Sequence, residues 1–162
     1  MKSFEVSLDD DLYEFLEFLE RTRFIKSKED AVQKAMLLFK KLSMQDWLPD
    51  VYRIGKDRVI IMDRGMLLDI FELLTEHDTY RAGQLTAMKR KVMRQEFRDI
   101  DLTKQINWPI VLKELENLGW GIFSKVGNEI KMENNAVPTS YLKGYLETMF
   151  AVELREHHTK VE

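Results

Sequence analysis

The sequence predicts an α+β chain in two parts: a short strand–helix–helix module, then a larger α+β domain of hairpins and about four helices. Three observations carry this. Residues 2–20, KSFEVSLDDDLYEFLEFLE, change from period-two to helical periodicity at a run of aspartates. Pro49, in SMQDWLPD, disfavours helical geometry at Leu48 and ends the second helical stretch. From Val51 onward the order is hairpin, helices, hairpin, helix.

The first element is a strand. Phe4, Val6 and Leu8 point to one side of it, and Ser3, Glu5 and Ser7 to the other. Asp9 or Asp10 caps the helix that follows, where a short carboxylate accepts from free N–H groups and suits the positive end of the helix dipole. Leu12, Phe15, Leu16 and Leu19 make its apolar face. After RTRFIK, Ser27 reads as the next N-cap, and a second helix runs from about Lys28 to Leu42 with Ala31, Val32, Ala35, Met36, Phe39 and Leu42 on one face. So small a module buries too little surface to stand alone, and its single strand leaves a row of backbone groups unpaired. Two copies that pair their strands antiparallel satisfy both demands.

This stretch resembles the ribbon-helix-helix family of DNA-binding regulators, the Arc and MetJ type. The strand FEVSL and the interhelix segment SKEDAVQKAM carry the likeness, over about the first quarter of the chain. The resemblance implies an intertwined dimer whose paired strands enter the DNA major groove. Lys2, Ser3, Glu5 and Ser7 would then face the bases, and Lys26, Ser27 and Lys28 would meet a phosphate at the helix start. Two departures stand against the family pattern: Glu5 in the middle of the outer face, and Arg23 and Phe24 where the interhelix turn commonly has glycine. Glu5 leaves open an alternative, a non-DNA-binding dimeric adaptor that uses the ribbon only to hold two chains together.

Residues 1–44 thus form the first module, 45–50 a linker, and 51–162 the larger domain. VYRIGKDRVIIM reads as a hairpin around Gly55-Lys56-Asp57. Asp63 or Arg64 begins a helix with Met66, Leu67, Ile70, Phe71 and Leu74 on one face, and Thr79 caps the next, TYRAGQLTAMKRKVMRQEF. A third helix has Asn107 as its cap, Pro109 in its first turn and Gly119 at its end. A second hairpin turns at Gly127-Asn128, Ser140 starts the last helix, and REHHTKVE adds a closing strand.

RVIIMDRGMLLDIF, YRAGQLTA, and LENLGWGIFSKVGNEIKMENN followed by YLKGYLETMFAVEL resemble, in that order, the 4-vinyl-reductase-like small-molecule sensing domain. The resemblance spans 51 to about 156 and tilts Tyr80, Trp108, Trp120, Phe123, Tyr141 and Tyr145 from plain core toward a pocket for a small apolar ligand. Members of that group often hold zinc with cysteines near the end. This chain has none, and adjacent His157 and His158 point to opposite faces, so no metal site is expected.

The composition agrees. Of 162 residues 44% are hydrophobic and 33% charged, enough for a core with a heavily solvated surface. No apolar run is long enough to span a membrane, no secretory signal opens the chain, and the absence of cysteine excludes disulfides and thiolate chemistry. A cytoplasmic location fits. The net charge of -3 means that DNA would be met through a local patch. No phosphate loop, nucleophile elbow or His-Glu-x-x-His is present, so neither an enzyme nor a cofactor is expected. The expectation is a sequence-specific DNA-binding transcriptional regulator, a homodimer or higher assembly on double-stranded DNA. Its C-terminal domain senses a ligand or serves oligomerisation.

Overall fold

A computed structural model describes residues 5–54 and 57–157. The fold mixes helices with two small antiparallel hairpins, in two compact units, Met1–Ile60 and Ile61–Glu162. Among the described residues no helix is long and apolar enough to cross a membrane.

In the first unit, Asp9 accepts a hydrogen bond from the Leu12 N–H at 2.8 Å and starts α1 (Asp10–Arg21). Ser27 does the same for α2 (Lys28–Lys41), its Oγ accepting from the Asp30 N–H at 3.2 Å. The first described element is therefore a helix, not the expected strand. Glu5–Asp9 carries no strand pairing within the chain, and Ser3 and Phe4 lie outside the described residues. A strand whose ladder partner belongs to a second molecule has nothing to pair with in one chain.

Beyond α2, the Trp47 and Tyr52 rings lie 4.5 Å apart, and Leu48 and Val51 exchange backbone hydrogen bonds of 2.9 and 3.1 Å. These contacts tie the linker to the hairpin of β1 (Tyr52–Ile54) and β2 (Asp57–Val59). That hairpin, expected to open the larger domain, falls within the first unit.

The second unit begins with α3 (Arg64–Glu72), capped by Asp63 as expected. The next helix, α4 (Glu76–Met93), is capped by Thr75, one turn before the expected Thr79. Thr79 lies inside the helix and is buried. A short α5 (Gln95–Arg98) precedes α6 (Trp108–Asn117). Asn107 stands at the N-cap position of α6, as expected, but its side chain makes no capping hydrogen bond; its amide donates to the Asp101 carbonyl at 2.8 Å. Strands β3 (Ile122–Val126) and β4 (Glu129–Glu133) pair antiparallel, with Gly127 at φ +57° in the turn between them. The last helix, α7 (Thr139–Phe150), starts one residue ahead of the expected Ser140. Residues 152–157 form no strand, and the rest of the expected closing strand lies outside the described residues.

The core of this unit is built on α7, which buries Tyr141, Leu142, Tyr145, Leu146, Met149 and Phe150. Against it lie Val111, Leu112 and Leu115 of α6, Ala87 of α4 and Phe123 of β3. Helices α4 and α7 meet at two glycines. A methyl on Gly83 would collide with the Tyr141 carbonyl, and one on Gly144 with the Tyr80 carbonyl. Only hydrogen at both positions lets the two backbones come this close.

Candidate functional site

The DNA-facing residues expected at the N-terminus begin with Lys2 and Ser3, which lie outside the described residues; Glu5 and Ser7 are exposed. Of the expected phosphate-binding group at the start of α2, Lys26 is exposed. Lys28 is turned back onto α1. Its Nζ stands 3.4 Å from the Tyr13 hydroxyl and 4.7 Å from the centre of that ring. It also lies 3.5 Å from Glu20 and 3.8 Å from Glu17. Tyr13 first, then the two glutamates, hold the Lys28 ammonium above its ordinary pKa.

The start of α2 is also answered from within. Ser27 already accepts from Asp30, and two carboxylates follow in the first turn. A hydrogen bond with Ser27 lowers the Glu29 pKa, and the Lys34 ammonium, 2.7 Å away, lowers that of Asp30. Both are anionic at neutral pH, beside the helix end that was to receive a phosphate.

The expected aromatic pocket divides into parts. Trp120, Tyr141 and Tyr145 come together, with Trp120 ring-to-ring distances of 5.5 Å to both tyrosines. Phe71 of α3 meets Tyr141 edge-on at 5.2 Å. Phe123 is buried on β3, its N–H donating to Glu116 at 3.1 Å. Trp108 instead stacks on Phe150 at 4.4 Å, and its indole N–H donates to the Leu102 carbonyl at 3.1 Å. Tyr80 belongs to a different place, a cleft of about 590 Å³ shared with Glu76, His77, Ser140, Lys143, Glu147, Glu153 and Glu156. Its hydroxyl donates to Glu147 at 2.5 Å. The α4–α7 crossing decides this division, and the aromatic spacings alone do not encode it.

Polar groups gather beside the three clustered aromatics. The Tyr141 hydroxyl donates to Thr86 at 2.9 Å. The Arg90 guanidinium lies 5.3 Å from the Trp120 ring centre and 3.2 Å from Glu114, and Arg94 approaches the same carboxylate at 3.6 Å. Burial raises the Glu114 pKa against the pull of both arginines. The Tyr145 hydroxyl is buried beside Arg90, and burial drives its pKa up against the pull of that guanidinium. Arg90 sits in KRKVMR, which reads as a solvated run. Its offset of three from Ala87 and seven from Gly83 puts it on the buried side of the helix, and that was the available signal.

Among the described residues no group of three or more His, Cys, Asp or Glu side chains could hold a metal ion. His77 and His157 are exposed, as expected; His158 lies outside the described residues. No protein-family model, no curated protein and no solved structure matches this chain.

Proposed function

We propose that the chain is a self-associating DNA-binding regulator whose N-terminal unit is completed by a second copy as a ribbon-helix-helix. One observation carries the self-association: no described residue of the first unit is buried. Val6, Leu12, Phe15, Phe18, Met36, Leu37, Leu38 and Phe39 are 39 to 66% exposed. At roughly 100 Å² each they offer on the order of 800 Å², what a standard interface takes from each partner. Pairing two Phe4–Leu8 segments would also supply the missing ladder. The exposed cations of the interhelix region, Arg21, Arg23 and Lys26, support a phosphate-facing edge. In the second unit, the convergence of Trp120, Tyr141 and Tyr145, with Arg90 beside them, supports this as the place where a small apolar ligand would act. Such a ligand regulates only by binding two arrangements of the dimer unequally.

The engagement of Lys28 by Tyr13, Glu17 and Glu20, with Glu29 and Asp30 next to it in sequence and Glu5 on the expected outer face of the ribbon, favours a second reading, a dimeric adaptor that does not touch DNA. Titration of the full chain onto a pool of random duplexes at rising salt separates the two. A groove binder with six phosphate contacts loses affinity with a log–log slope of about -5. Absence of binding at low salt, in a chain that is dimeric by sedimentation, selects the adaptor.

A further inference from the structure

Two arginines face each other across the β1–β2 hairpin. The antiparallel register sets Arg53 directly opposite Arg58, with Tyr52 opposite Val59 and Ile54 opposite Asp57. Strand alternation therefore puts both guanidinium groups on one face of the ribbon and Tyr52, Ile54, Asp57 and Val59 on the other. The second face is half-buried, and Tyr52 packs there on Trp47. The arginine face is exposed. Among the described residues neither Arg53 nor Arg58 makes an ion pair or a side-chain hydrogen bond, although Asp46 and Asp50 stand exposed in the segment before β1. Like charges set directly opposite on a ribbon repel, so in the chain alone the pair weakens its own hairpin. We propose that this face of the hairpin is a phosphate-binding surface, on which Arg53 and Arg58 together hold one phosphate of a duplex DNA backbone. The proposal rests on the DNA-binding reading above and adds to it a contact outside the strand–helix–helix segment.

Charge and placement select this occupant. A guanidinium is a planar fork of N–H donors that matches phosphate oxygens and stays charged throughout the physiological range. A phosphate between two of them turns their repulsion into two charge-assisted hydrogen-bonding contacts. A second hairpin of the same kind is excluded, because face-to-face packing would bring four guanidinium groups together. The one carboxylate between the two arginines in sequence, Asp57, is turned by the register to the opposite face. The hairpin also belongs to the same compact unit as the exposed Arg21, Arg23 and Lys26. A contact of this kind positions the protein on the duplex and reads no base.

Titration of labelled duplexes with the full chain at several salt concentrations tests the proposal. Arg53→Gln and Arg58→Gln are each expected to weaken binding by about tenfold on every duplex alike. Together they should reduce the magnitude of the salt slope by about 1. Arg58→Glu is the sharper variant. It replaces a repelling pair with an attracting one across the ribbon, so the thermal transition of the first unit should rise or stay in place while binding falls. Lys40→Glu, the same charge change at an exposed position in the last turn of α2, should leave the slope unchanged. Parent-like binding by both glutamine variants, or losses no larger than that of Lys40→Glu, overturns the proposal and leaves the DNA-binding reading standing. A lowered transition in Arg58→Glu that accounts for its lost binding also overturns it, because the arginines would then serve the fold. A parent chain that binds no duplex at low salt overturns both.

Discussion

The two units differ in self-sufficiency far more than in secondary structure. Each has well-capped helices and one small hairpin. Yet the second buries Tyr145, Phe150, Leu115, Leu142, Leu146, Met149 and Val111 almost completely, while the first buries no described residue. Capping and local periodicity therefore do not make a core. Asp9 and Ser27 start their helices as competently as Asp63 and Thr75 do. In the second unit a pair of glycines lets two helices close on each other and on α6. The first unit has two helices and a three-residue-strand hairpin, too little to enclose apolar surface from all sides.

The comparison breaks most sharply at the glycine contact. Gly83→Val or Gly144→Val drives a side chain into a backbone carbonyl that cannot swing aside. Either substitution is expected to cost about 3 kcal/mol or more, at the upper end for overpacking. In urea melts of the full chain the second unit should lose its cooperative transition, while α1 and α2 keep their helical signal. A variant that melts like the parent would show that the α4–α7 crossing is loose.

Dilution sharpens the contrast next. If a second copy completes the first unit, hundredfold dilution weakens it by about 2.7 kcal/mol through mass action. The core of the second unit is its own, so its transition should move far less. Scanning calorimetry at two concentrations reads both, and a first transition that stays in place would mean the N-terminal helices fold without a partner.

A smaller effect is expected inside the core. The Tyr145 hydroxyl is buried beside Arg90, so Tyr145→Phe trades a desolvation penalty against that contact and should shift the stability of the second unit by no more than about 1 kcal/mol. Its pH dependence has a definite sign. Burial raises the folded pKa above the ordinary 10.0, with Arg90 opposing. Such a group contributes fully below the unfolded value and loses its contribution as pH rises toward the folded one. Alkaline destabilisation beginning near pH 10.0 should therefore be shallower in Tyr145→Phe by one proton, Tyr141 retaining its own share. An unchanged alkaline slope would mean that the phenol is solvated.

These contrasts also show what was legible in the chain. Asp9, Ser27 and Asp63 could be read as caps because the acceptor and the N–H it serves are neighbours in sequence. Thr75 and Thr79 stand one turn apart in sequence, and only burial by a distant helix tells the core residue from the cap. The six expected pocket aromatics dispersed because their convergence depends on the Gly83–Gly144 crossing, which pairs segments about sixty residues apart. Arg90 lies in a basic run that shows no apolar period, although Lys91 and Arg94 turn inward with it, and nothing in SKED reveals that Tyr13 and Glu20 lie across from Lys28. Local chemistry is written locally; which face meets which partner is not.

The finest test lies within two residues of α2. Lys26 is exposed, whereas Lys28 is held by a phenol and two carboxylates of α1. If the first unit grips phosphate, Lys26→Ala should weaken binding to every duplex alike and lower the salt slope by about 1. Lys28→Ala should leave the slope unchanged, because a cation already neutralised by Glu17 and Glu20 releases no counterion when DNA arrives. Losing the Tyr13 contact should instead loosen α1 from α2, so its effect would appear in the dilution-dependent transition. Equal loss of slope in both variants would mean that DNA draws Lys28 away from Tyr13, and that the interhelix segment rearranges on binding. No change in either would leave the charge at the helix start serving only to join α1 to α2, as the adaptor reading requires.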